Sequence, residues 1–76
     1  MINRIKNISV VFIGAGNLAT NLAKALYKKG FSIQQVYSRT EESAKALADL
    51  VESTFTTSLE EVTNNASLYI VSLTDD

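Results

Sequence analysis

Cysteine and histidine are both absent from this chain. Without cysteine no disulfide staples the fold and no thiolate nucleophile exists, and without either residue the usual zinc ligand sets are missing. A histidine general base is excluded from these residues on the same ground. Charge of one sign is lacking too: seven Lys and Arg against eight Asp and Glu leave a net charge of -1, and the basic residues are scattered. Nucleic-acid binding needs a clustered basic surface, so no nucleic-acid partner is expected. No apolar stretch approaches the roughly 18 residues that a membrane span requires, so no membrane partner is expected and the cytoplasm is the default location.

The 76 residues, 46% hydrophobic and 20% charged, have a globular composition and suffice for one small domain. A chain of this size buries only about 60% of its unfolded surface, which makes its core marginal. Glycine is scarce, and two of the three glycines fall together.

That pair, Gly14 and Gly16, lies in the stretch ISVVFIGAGNLA from Ile8 to Ala19. A short apolar run meets the glycines and then gives way to a helical pattern. A helix N-terminus carries unpaired N–H groups and the positive end of the helix dipole, so it holds an anion if the backbone comes close enough. In the pattern G-x-G-x-x-G/A the first glycine makes the turn, the second leaves room for a pyrophosphate, and the third position is small so that helix and strand can touch. Gly14, Gly16 and Ala19 suit those places. The ligand-free alternative is a plain strand-to-helix turn. A secretory leader, prompted by Arg4 and Lys6 ahead of the run, fits poorly because Asn17, Asn21 and Lys24 interrupt the apolar residues at helical spacing.

Along the chain, Met1 to Asn7 reads as a polar lead and Ile8 to Ile13 as a strand covered on both faces. From Asn17 to Lys29 the residues Leu18, Leu22, Ala25 and Leu26 fall on one helical face, with Lys28 and Lys29 in the last turn and Gly30 as a left-handed stop. Phe31 to Tyr37 is a second strand whose alternation Gln34 and Gln35 spoil. Thr40 is the expected N-cap of a helix from Glu41 to Val51, which places Ala44, Leu47, Ala48 and Val51 on one face. A short strand follows over Thr54 to Thr57. Ser58 and Glu61 then form a capping-box pattern for a short helix reaching about Asn64, and Leu68 to Leu73 is a further buried strand.

Strands alternating with helices imply an α/β fold with a Rossmann-like parallel sheet of order 3-2-1-4 and right-handed crossovers. The fourth strand would then be an open, apolar edge, which marks the chain as the N-terminal part of a longer protein.

In domains of this kind that bind NAD, an acidic residue ends the second strand and holds the ribose hydroxyls. Tyr37-Ser38-Arg39-Thr40 occupies that place without a carboxylate. Ser38 and Thr40 offer hydroxyl donors and Arg39 a guanidinium suited to a 2′-phosphate, so NADP is favoured over NAD. Pairing of Arg39 with Glu42 is the plain alternative, and the charges of Glu41 and Glu42 count against a phosphate clamp.

The run VVFIGAGNLATNLAKAL, the Ser38-Arg39-Thr40 element and the closing SLEEVTNNASLYIVSLTDD together resemble the cofactor half of pyrroline-5-carboxylate reductases and of related deazaflavin-dependent NADP reductases. Two features of that family are missing: an acidic residue at the position of Ser67, and a proline after the fourth strand. The resemblance implies a cytoplasmic NADP-linked reductase whose helical C-terminal domain, absent here, binds a small-molecule substrate and forms a homodimer. The cofactor residues it implies are Gly14, Gly16, Asn17, Leu18, Ser38 and Arg39, with Leu73 and Thr74 near the nicotinamide. No catalytic residue carries over, and Ser72, Thr74, Asp75 and Asp76 read as a polar turn. Two other function classes remain open at this point: a regulatory nucleotide sensor and a Rossmann domain serving only in assembly.

Overall fold

The computed structural model describes residues 8–72. The polar lead over residues 1–7, the proposed cofactor residues Leu73 and Thr74, and Asp75 and Asp76 lie outside the described residues.

Four strands form one parallel sheet: β1 (Ser9–Ile13), β2 (Ser32–Tyr37), β3 (Thr54–Thr56) and β4 (Leu68–Val71), in the order β3-β2-β1-β4. The expected order is therefore the observed one. Helix α1 (Asn17–Lys28) joins β1 to β2, and α2 (Glu41–Val51) joins β2 to β3. Both helices pack on the face that carries Val10, Phe12, Ile33 and Val36, and they contribute Ala19, Ala23, Leu47, Ala48 and Val51 to the same buried cluster.

The ends of these elements follow from their sequences. Thr40 caps α2, its hydroxyl oxygen accepting from the Ser43 N–H at 3.3 Å. Gly30 follows α1 with φ 104°, the left-handed conformation that stops a helix at little cost for glycine. Glu52 performs the same turn after α2 at φ 55° but carries a side chain, and the N–H of Ser53 bonds back to the Ala48 carbonyl at 3.0 Å.

Three expectations are corrected. On α1 the face that meets the sheet is Ala19 and Ala23 with half-buried Leu26 behind them, whereas Leu18 and Leu22 are 60% and 40% exposed. Alanines let the helix lie close to the strands, and leucines at the contact would hold it off. The segment after β3 forms only a 3₁₀ turn over Leu59–Glu61. Ser58 gives no side-chain cap there, because the Glu61 N–H donates to the Ser58 carbonyl at 3.0 Å; the Thr56 hydroxyl accepts from the Ser58 N–H and donates to Glu61 Oε1, both at 3.1 Å, and so takes the other half of the box. Finally, β4 pairs with β1 alone and is mostly exposed, Val71 by 64%; only Ile70 packs against the core.

The Gln34-Gln35 irregularity has a structural cause. The β1–β2 register passes from Val10↔Ile33 to Val11↔Gln35, so Gln34 is the extra residue of a bulge. Its carbonyl accepts from the Thr54 hydroxyl at 3.0 Å. The bulge places Gln35, Val11 and Tyr69 side by side across β2, β1 and β4 on the face opposite the two helices.

Two outcomes test this description. With Tyr27 already replaced by phenylalanine, so that no interaction between phenol and carboxylate is lost, replacing Glu52 with glycine removes a side chain from a left-handed position and should stabilise the protein by about 1 kcal/mol, read from the urea midpoint. The Glu52 carboxylate beside the Tyr27 phenol favours the protonated phenol and raises its pKa above the ordinary 10.0, with desolvation and the neighbouring charge adding to the effect. A group raised in the folded state contributes its stability below the unfolded pKa and loses it as pH climbs through the folded one. Stability should therefore fall more steeply above pH 10 in the parent than in Tyr27→Phe, with tyrosinate absorbance marking the late titration.

Candidate functional site

The carboxyl ends of β1 and β2 and the turns that follow them form the candidate site. Gly14 leaves β1 at φ 122°, a conformation that side chains rarely adopt. Its N–H donates to the Tyr37 carbonyl at 2.7 Å, and the Ser72 N–H donates to the Ile13 carbonyl at 2.8 Å. The turn is thus wedged between the ends of β2 and β4. A Cβ on Gly14 would collide with the Ser72 carbonyl oxygen and stand 2.7 Å from its carbon. The first glycine of the motif is accordingly required by the backbone.

Gly16 is the N-cap of α1, in extended conformation, and the Thr20 N–H makes the first helical bond to its carbonyl at 2.8 Å. No side chain caps this helix start, and the first turn holds no acidic residue. Asn17 and Leu18 begin the helix, both exposed, and Ala19 is buried against the sheet as the motif's small third residue. An N-terminus left uncapped and free of carboxylates has the polarity that favours an anion.

At the end of β2, half-buried Ser38 bonds through its N–H to the Thr56 carbonyl at 3.3 Å, and Arg39 and Thr40 are exposed. Thr40 spends its hydroxyl oxygen on the α2 cap, which leaves its hydroxyl proton available to a ligand. Among the described residues Arg39 has no ion pair or hydrogen bond, and the ion pair that is present joins Lys45 to Asp49 at 3.2 Å. The Arg39–Glu42 pair considered from sequence is not formed.

Arg39 instead borders a cleft of about 320 Å³ lined also by Ile13, Tyr37 and Leu59. That volume lies at the lower end of small-ligand sites, about 300–1,000 Å³. Sequence reasoning did not single out the other three lining residues. Ile13 and Tyr37 are the last residues of their strands and were detectable as such; Leu59 reaches the cleft only through the path of the chain after β3. The site residues thus gather into two places at one edge of the sheet: the α1 N-terminus with Gly14, Gly16, Asn17 and Leu18, and the cleft with Arg39 beside Ser38 and Thr40. Among the described residues no three acidic side chains converge as metal ligands do, and no helix is long and apolar enough to cross a membrane.

A parallel sheet of order 3-2-1-4, with a glycine turn feeding a helix start at the end of its first strand, defines a Rossmann-like nucleotide-binding domain. Residues 9–74 match the family described as NADP oxidoreductase, coenzyme F420-dependent, and the chain belongs to that family. Among solved structures it is similar to a candidate NADP oxidoreductase from Bacteroides fragilis, with 68% identity and a TM-score of 0.89 over 93% of this chain and 28% of that one. A candidate NADPH-dependent oxidoreductase from Desulfitobacterium hafniense shares the fold at 20% identity, with a TM-score of 0.73 over 87% of this chain and 20% of that one. No curated protein matches. The chain therefore spans less than a third of the solved proteins it resembles, and it constitutes a domain of NADP-oxidoreductase type.

Substitution of Gly14 by alanine should destabilise the fold by about 2 kcal/mol or more, since it combines a positive φ with a backbone collision. The drop would appear in the thermal or urea midpoint whether or not a nucleotide is present. An unchanged midpoint would mean that the β1–α1 turn and the end of β4 are not held as described.

Proposed function

We propose that this domain holds NADP, in preference to NAD, for an oxidoreductase that transfers hydride to or from a small-molecule substrate. The observation that carries the choice of cofactor is Arg39, an exposed guanidinium with no partner among the described residues, at the rim of an apolar cleft where a carboxylate would repel a 2′-phosphate. The α1 N-terminus fits a pyrophosphate because it lacks both a side-chain cap and an acidic first turn.

In this reading Gly14 and Gly16 bring the backbone close to the pyrophosphate, and Asn17 and Leu18 present their N–H groups to it. Ser38, Arg39 and Thr40 hold the 2′-phosphate, Arg39 by charge-assisted hydrogen bonds. Ile13, Tyr37 and Leu59 give the adenosine end an apolar seat. Leu73 and Thr74 are assigned to the nicotinamide side by the family resemblance. The bound cofactor supplies the hydride chemistry, and the protein supplies position and electrostatics. Substrate binding, catalytic groups and a homodimer contact belong to a helical C-terminal domain outside this chain, as in the pyrroline-5-carboxylate reductase-like architecture, and the protein works in the cytoplasm.

The test is a parallel titration of the intact protein with NADP and NAD, repeated with Arg39→Ala. Loss of the charge-assisted contact should cost about 1.5–3 kcal/mol, or roughly tenfold to over a hundredfold in NADP affinity, and leave NAD binding nearly unchanged. Equal weakening of both dinucleotides would remove the 2′-phosphate role from Arg39. A folded protein that binds neither would overturn the cofactor reading altogether.

A further inference from the structure

The segment between β3 and β4 crosses the sheet face opposite the two helices, and side chains from three strands tie it down. Gln35 Oε1 accepts from the Thr63 N–H at 2.8 Å, and Gln35 Nε2 donates to the Glu61 carbonyl at 3.2 Å. Tyr69 donates its hydroxyl to the Thr63 carbonyl at 2.6 Å and accepts from the Ala66 N–H at 3.2 Å. Both residues flank Val11 in the same row of the sheet, and Val11 is fully buried although the helices lie on the other side. Thr56, buried at the end of β3, fixes the other end of the 3₁₀ turn through the Ser58 N–H and the Glu61 carboxylate.

Leu59 opens that turn and forms one wall of the cleft. Ile13 and Tyr37, two further cleft residues, stand two positions beyond Val11 and Gln35 on the same strands and face. The glutamine clamp therefore lies one row beneath the cleft. It holds the turn that carries Leu59 by backbone hydrogen bonds, with no part in the cleft lining.

We infer that Gln35, with Thr56, is a positioning residue for nucleotide specificity: it sets the height of Leu59 over the cleft and so tunes affinity for the adenosine half of the cofactor without touching it. This rests on the assignment of the cleft to the adenosine end. It gives the bulge at Gln34 a purpose, since the one-residue slip turns Gln35 toward the crossover side. Loss of the two hydrogen bonds should weaken binding of adenosine 2′,5′-bisphosphate about tenfold, the scale of one or two ordinary hydrogen bonds.

The experiment measures dissociation constants of adenosine 2′,5′-bisphosphate and of nicotinamide mononucleotide for the intact protein, for Gln35→Leu, for Leu59→Ala and for the double variant. The expected result is selective loss of the adenosine probe in Gln35→Leu, with the nicotinamide probe within twofold of the parent. On the Leu59→Ala background the same substitution should have little further effect, because Gln35 acts through Leu59. Thr56→Val releases the turn from its other end and should reproduce the selective loss, which keeps the test alive if Gln35→Leu does not fold. Additive losses, equal weakening of both probes, or parent-like affinity in Gln35→Leu and Thr56→Val would overturn the inference while leaving the cofactor assignment standing. Failure of the parent to bind the adenosine probe would overturn both.

Discussion

The close approach of three backbone segments at Gly14 is the constraint on which the rest of the molecule depends. β1 must end, turn and start a helix within three residues while β2 and β4 close on either side. The N–H of Gly14 is given to Tyr37, and the carbonyl of Ser72 fills the space a side chain would need. This fixes where α1 begins, and hence where its uncapped N-terminus points. It also fixes the common row of Tyr37, Ile13 and Val71 at which β2, β1 and β4 end, and so the shape of the edge at which both parts of the site lie.

The two faces of the sheet are covered by different chemistry. On one face, alanines and leucines of α1 and α2 pack on Val10, Phe12, Ile33 and Val36, and the cover is held by apolar contact. On the other, an irregular crossover lies over Val11 and is held by hydrogen bonds from Gln35, Thr56 and Tyr69. An irregular segment leaves its backbone groups without a regular ladder, so side chains must supply the partners. The consequence for function is that one wall of the cleft, Leu59, is placed by polar bonds whose loss need not disturb the helix-covered core. The exposed edge and outer side of β4 and the exposed Leu18 and Leu22 of α1 carry no comparable cover among the described residues.

Much of this architecture was legible in the sequence, for reasons that differ from element to element. The run VVFI announces a central strand because only a strand covered on both faces tolerates apolar residues without alternation. Thr40, Gly30 and the Ala44, Leu47, Ala48, Val51 face mark their helices through local rules that tertiary contacts do not alter. The face of α1 was misread because Leu18 and Leu22 outweigh Ala19 and Ala23 in hydrophobicity, whereas closeness to the sheet selects the smaller residues. The capping box at Ser58 failed because the Glu61 N–H donates to the Ser58 carbonyl, while Thr56, a residue outside the pattern, takes the Ser58 N–H and the Glu61 carboxylate.

The sequence by itself determined the strand order, the glycine turn and the presence of Arg39 where a carboxylate would signal NAD, because each depends on residue type at short spacing. Tertiary structure decided what those residues face. The freedom of Arg39 from Glu42, the bulge that turns Gln35 toward the crossover and the arrival of Leu59 at the cleft depend on segments distant in the chain meeting across the sheet. Local propensity carries no record of such meetings, since the register that creates them is settled only when β1, β2 and β4 pair.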